Sequence, residues 1–190
     1  MSRGFWAGSS SRFKRFITIL LCLVFCIVVT TAGIFTPLSS QDTKSLNDEV
    51  RQLRASNENM SLWQGAFSLF ENNFIIDLIM FIPIYGWIFG SFALYNSGKA
   101  FNAQSTSAAD NPSHWPAILI FLTNFISPHQ SLEFIAYATA LAASIWLFSH
   151  MLRGGGKREL KRTGMFILIC AGLLLLAAFI EQYLILVFKP

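Results

Sequence analysis

Hydrophobic residues in this chain gather into long unbroken runs separated by polar stretches. The first run, residues 16–35 (FITILLCLVFCIVVTTAGIF), follows the basic stretch SRFKR. A run of about 20 apolar residues matches the hydrocarbon thickness of a bilayer. It predicts a retained transmembrane helix, because its apolar region is about twice that of many secretory signals and no clean A-x-A site follows. Residues 36–68 turn polar and mixed in charge. Ser45 and Asp48 are spaced as a capping pair, and Leu46, Val50 and Leu53 fall on one helical face. A short amphipathic helix on the outer surface is expected there. Asn59-Met60-Ser61 fits a glycosylation sequon, a triplet that also arises often by chance.

The second expected span covers residues 74–95, kinked at Pro83 because proline leaves the carbonyl of Ile79 unpaired. Gly86 and Gly90 form a G-x-x-x-G pair, which lets another helix approach closely, within the chain by default or across a dimer face. Residues 97–113 read as a polar loop. Residues 114–126 are apolar but would give only about 20 Å of helix, short of the ~30 Å core. Residues 132–150 and 165–188 are long enough to cross.

Charge then decides how the middle stretches are counted. No lysine or arginine occurs in the 53 residues from Ala100 to Leu152, whereas Arg153, Lys157, Arg158, Lys161 and Arg162 crowd the segment before the last run. If residues 114–152 enter and return as a hairpin, that cluster shares a side with Arg3, Arg12, Lys14 and Arg15. Ten of the fourteen Lys and Arg then lie inside, leaving Lys44, Arg51, Arg54 and Lys189 outside. The expectation is an all-α, polytopic helix bundle of about five membrane segments with one short or broken hairpin. It is a multi-pass protein of the cell membrane, its N-terminus cytoplasmic and its C-terminus extracytoplasmic. The divisions are a basic N-terminus (1–15), a transmembrane helix (16–35), an outer polar segment (36–68) and a four-segment membrane domain (69–188).

Composition agrees: 54% of residues are hydrophobic and 13% charged, about half the charged share of a soluble domain. The net charge of +4 comes from residues flanking apolar runs, which argues against nucleic acid as a partner. Cys22, Cys26 and Cys170 all fall within apolar runs and read as small buried hydrophobes.

The remaining question is why ionisable groups sit in or beside these runs. On the expected topology Asp77, His129, Glu133 and Glu181 occupy one outer layer, with Glu71, Asn72 and Asn73 at its edge. A carboxylate facing lipid costs several kcal/mol, so these side chains should face the bundle interior or be neutralised. His129 and Glu133 are four apart and share a face if a helix begins at Pro128, which would place Glu133 in its first turn. Asn73 and Asp77 have the same spacing. Three readings stand: cross-helix bonds that fix packing, a site for a proton, ion or small ligand, or a docking surface for an outer partner. No metal or cofactor is expected, since one histidine with scattered carboxylates is not an H-E-x-x-H site. No nucleotide loop or serine elbow is present, so no enzyme activity is expected.

From about residue 69 to 184 the chain resembles the stage II sporulation protein M-like membrane proteins. The resemblance rests on Phe70 with Asn72 and Asn73, on Gly86 and Gly90, and on Asn96-Ser97-Gly98 where that family has Asn-Gly. It also rests on PHQSLE, where Pro128, His129 and Glu133 match a Pro-His-Gly-x-x-Glu motif with Gln130 replacing glycine, and on AAFIEQ, which contains Glu181. The resemblance implies a multi-helix membrane fold with no known catalytic role. In spore formers the namesake is the membrane component of a complex with peptidoglycan-degrading enzymes. The function expected first is therefore a scaffold for envelope or membrane-associated proteins, its partners being the bilayer, membrane or extracytoplasmic proteins, or a second copy of the chain. The alternative is a small transporter or channel using Asp77, His129, Glu133 and Glu181, with a membrane-embedded hydrolase a distant third.

Overall fold

A computed structural model describes residues 11–108, 115–154 and 156–188, and these form helices without strands. They are α1 (Ser11–Ile34), α2 (Ser40–Glu58), α3 (Leu62–Met80), α4 (Tyr85–Ala108), α5 (Trp115–Ile126), α6 (Pro128–Leu152) and α7 (Gly156–Val187). The all-α expectation holds. Five segments are not clearly seen: among the described residues three helices, α1, α6 and α7, are long and apolar enough to cross a membrane, and α5 is a shorter apolar helix. Their outer faces suit lipid, with Leu21 61% and Leu168 75% exposed.

At one end of the bundle Arg15 of α1 pairs with Glu159 of α7 at 2.7 Å and lies 4.8 Å from the Trp146 ring of α6. We call this the basic end. At the opposite end, Asn102 of α4 donates to the Thr36 carbonyl at 2.9 Å, and Asn47 of α2 donates to the Ala103 carbonyl at 2.9 Å. This is the α2 end. α6 is the central post, and its buried run of Ala136, Ala138, Ala140, Ala142 and Ala143 lets its neighbours approach closely.

The expected second span is where the structure departs most from the sequence reading. Pro83 does not kink one helix; the helix stops at Met80 and a new one starts at Tyr85. The Ile79 carbonyl is not left unpaired, because the Ile82 N–H reaches it at 3.0 Å. Ile84 takes φ 67°, a left-handed conformation that is strained for a β-branched residue. Gly86 fits because a Cβ there would lie 2.3 Å from the Met80 carbonyl oxygen.

The chain therefore reverses inside the bundle. Trp87 meets Phe25 with ring centroids 4.8 Å apart, at a residue roughly half-way along α1 and so about 15 Å from Arg15. α3 descends from the α2 end to this level, and α4 climbs back beside α1 in the same direction. Residues 97–108, expected as loop, are the last turns of α4, while 109–114 lie outside the described residues. Lys99 thus belongs to the α2 end, not to the side of the basic loop.

α1 and α4 cross where Gly33 meets Gly98. A Cβ on Gly33 would sit 2.1 Å from the Tyr95 carbonyl oxygen, and one on Gly98 would sit 2.0 Å from the Thr30 carbonyl oxygen. Small residues that let backbones touch are the usual means of helix association in lipid. Gly90, by contrast, faces Met80 and Leu141 of its own chain, so the G-x-x-x-G pair is used internally.

The caps also differ from expectation. Ser39, not Ser45, caps α2 by accepting from the Asp42 N–H. The sequon residues serve helix ends: Asn59 donates to the Ala55 carbonyl, and Ser61 forms a capping box with Gln64 at the start of α3. α5, with 12 residues, is as short as expected. Phe121 and Phe125 hold it against Phe101 of α4 and Phe134 of α6, at centroid distances of 5.4 to 6.1 Å. Ser127 alone separates α5 from α6 and donates to the Asn124 carbonyl, while Pro128 opens α6 as expected.

Overpacking a close crossing costs about 1–3 kcal/mol. Gly98→Ala should therefore lower the melting temperature in detergent. Gly172→Ala, whose Cβ would meet nothing within 4 Å, should leave it unchanged.

Candidate functional site

Three residues four apart on α6, His129, Glu133 and Tyr137, form one stripe that descends from the α2 end by about 6 Å per step. Glu133 lies in the second turn of α6, not the first, and is 7% exposed. Its carboxylate is held by Asn73 of α3, which donates at 2.7 Å, and by Gln130, which donates at 3.3 Å. Asn73 is one helical turn from Asp77 along α3. Asp77 is fully buried, and neither of its oxygens has a hydrogen-bond partner among the described residues.

Glu181 of α7 is close enough to Glu133 for their charges to interact. Buried Tyr137 lies within electrostatic reach of Glu133, Asp77 and Glu181 together. Glu133 and Asp77 thus share the α3–α6 seam through Asn73, while Glu181 lines the cleft with His129 and Gln130. The carboxylates are not drawn onto one point: among the described residues no three His, Cys, Asp or Glu side chains are grouped to hold a metal ion. His129 shares a helix face with Glu133 but does not bond to it, and its buried Nδ1 has no hydrogen-bond partner among the described residues.

Above the ladder a cleft of about 470 Å³ opens at the α2 end. His129, Gln130 and Glu181 line it below, while Leu53 and Arg54 of α2 and Phe188 line its sides. α2 is polar nearly all round, and such a helix has little apolar surface with which to dock. Two buried asparagines hold it instead. Asn47 donates to the Ala103 carbonyl, and the Asn57 carbonyl accepts from Gln182 of α7 at 2.9 Å. Gln182 is fully buried and lies flat on α3, where a Cβ on Gly65 would come within 2.2 Å of its Cδ.

Sequence reasoning missed Gln182, Asn57, Gly65 and Tyr137. Tyr137 was accessible as the next step of the four-residue spacing from His129 and Glu133. Gln182 stood beside Glu181 in a motif already singled out. The other motif residues serve varied ends. Asn72 is exposed, and Asn96 donates to the Phe92 carbonyl within its own helix.

The fold and this polar ladder define an α-helical membrane protein with a folded polar cap over buried carboxylates. The chain belongs to the stage II sporulation protein M family, whose model matches residues 18–184. The match takes in α1 and α2 as well as the region from residue 69 onward. No curated protein and no solved structure matches the chain.

Leaving a buried acceptor without its donor costs about 1–3 kcal/mol. Asn73→Ala should destabilise the protein by that amount in chemical unfolding from detergent. Glu133→Gln added to it should cost less than the sum of the two single changes, because both disrupt one bond.

Proposed function

We propose that this protein is a non-catalytic membrane scaffold that holds an envelope protein against its α2 end. The observation that carries this reading is the polar helix α2, pinned by Asn47 and Asn57 and presenting charged side chains outward. Asp48, Glu49, Arg51 and Arg54 are all exposed. A helix of this composition gains little from covering the bundle by itself, and its rigid charged face suits a polar partner domain. The family resemblance to a component of an envelope complex supports the same reading.

The proposed topology has three crossings, α1, α6 and α7, with α3 and α4 entering and leaving at the α2 end. Among the described residues the basic end carries Arg12, Lys14, Arg15, Arg153, Lys157, Arg158, Lys161 and Arg162, against Lys44, Arg51, Arg54 and Lys99 at the other end. That excess makes the basic end cytoplasmic and the α2 end extracytoplasmic. The N-terminus is then inside and the C-terminus outside, as five crossings would also leave them.

Gln104 separates the two topologies. It lies six residues beyond Gly98, about 9 Å further along α4. In a cysteine-free background, Gln104→Cys should react with an impermeant thiol reagent from the same side as Asp48→Cys, and Lys157→Cys from the opposite side. Labelling of Gln104→Cys together with Lys157→Cys would restore the five-crossing arrangement.

The scaffold role is tested by a photo-crosslinking residue placed at Glu49, with Leu168 on the lipid-facing side of α7 as control. In native membranes Glu49 should capture a protein with an extracytoplasmic domain, and Leu168 should not. Equal capture at both positions, or none at Glu49, would overturn the scaffold.

A further inference from the structure

We infer that Asp77, Glu133 and Glu181 form a proton-binding site inside the bundle, entered only from the α2 end. This goes beyond the docking role and does not depend on it.

The site is built as successive steps. Glu181 and His129 line the open cleft. Glu133 lies one turn deeper on α6, behind Gln130 and Asn73. Asp77 lies deeper still, one turn beyond Asn73 on α3. The next residue on the α6 stripe after Tyr137 is Leu141, which with Met80 lies against Gly90; Met80 and Leu141 are fully buried. The polar path therefore ends on an apolar floor at the level where the chain reverses.

Among the described residues, no lysine or arginine faces this path below the cleft. α1 contributes Cys26 and α7 contributes Cys170, both buried. α6 contributes His129 and Tyr137, while α4 and α5 bring the amides Gln104 and Asn124 to the cleft. Arg54 is the one basic residue in the cleft lining among the described residues, and Glu58 already engages it at 3.1 Å.

With Asp77 and Glu133 buried in a low-dielectric interior and Glu181 at its mouth, the three carboxylates cannot all remain ionised without a counter-ion. Asp77 makes the point independently of the cluster. An ionised carboxylate with no hydrogen bond is among the costliest groups to bury, and a protonated acid removes that cost. The acids are stepped along the helices rather than gathered on one point, an arrangement that suits protons rather than a single coordinated ion. Exchange with solution runs through Glu181 and the cleft. A site closed below in this way binds protons from one face of the membrane without conducting them to the other.

Infrared spectroscopy of the full-length protein in lipid nanodiscs provides the test, through the C=O stretch that protonated carboxylic acids show and carboxylates lack. At neutral pH the wild type should show a buried carboxylic-acid band that Asp77→Asn removes. Raising the pH should bleach further bands, each missing in Glu133→Gln or Glu181→Gln. In sealed vesicles a pH jump on the α2 side should change these bands, and a jump on the basic side should not. The wild-type spectrum and the Glu181→Gln variant, whose substitution lies at the open cleft, keep the test decisive if Asp77→Asn fails to fold. A wild type with no carboxylic-acid band at neutral pH overturns the proposal, as does a response to jumps on the basic side. Loss of the bands on adding sodium or potassium chloride at fixed pH would show a metal-cation site instead, and would overturn it equally.

Discussion

A backbone amide or carbonyl left bare in hydrocarbon costs several kcal/mol, so a chain can turn inside a membrane only where its own groups close the turn. In the segment from Phe81 to Gly86 four N–H groups find such partners. Phe81 and Ile82 donate back to Leu78 and Ile79, Tyr85 to Pro83, and Gly86 to Ile82. Everything toward the α2 end follows from that reversal. It makes α4 run alongside α1, so that Gly98 can meet Gly33. The crossing in turn carries Asn102 to Thr36 and Ala103 to Asn47, which seats α2 over the cleft. Had the helix continued through Pro83, the end of α4 would have emerged at the opposite end and left Asn47 of α2 without its acceptor.

The two ends of the bundle handle charge in different ways. At the basic end Glu159, 2% exposed, is met by Arg15 and also by Arg162 at 3.5 Å. A buried pair of this kind is held in place chiefly because breaking it strands a charge, at about 3–5 kcal/mol. Toward the α2 end, among the described residues, Asp77 has no hydrogen-bond partner and Glu133 has only amide donors. The fold therefore can pair a buried acid with an arginine, as Glu159 shows. The unpaired ladder is a local property of the seam between α3, α6 and α7, which is why it reads as a site rather than as tolerance for buried charge.

Much of this was legible in the sequence. The long apolar runs gave the three helices long and apolar enough to cross a membrane, because length and hydropathy are both local properties. Pro128 announced the start of α6, and helical spacing placed His129 above Glu133. The reversal at Pro83 was not legible, because a kink and a break share the same proline. The outcome turned on Ile84 adopting a left-handed conformation and on Gly86 passing close to Met80, which are tertiary facts. Charge counting could not tell a kink from a break, since Lys99 alone changes ends between them. The layer that holds Asp77, Glu133 and Glu181 was singled out from expected depth alone. Its anchors Gln182, Gly65 and Asn57 were not, because each matters only through a residue far away in the chain.

Those anchors connect the ladder to the cap. Gln182 rests on Gly65 of α3 and donates to Asn57 of α2, while further down α3 Asn73 donates to Glu133. One helix therefore carries both the seat of the cap and the donor to the carboxylate. A carboxylate accepts at both oxygens, whereas its protonated form has an O–H that must itself donate. On the proton-binding reading, a proton added to Glu133 changes what Asn73 and Gln130 can bond, and the adjustment falls on the α3–α6 seam. The α1–α4 crossing at Gly33 and Gly98 brings backbone against backbone, so it leaves little room for such a shift on that side. A docking face on α2 and a proton site beneath it would then be linked through α3, without any pathway across the membrane.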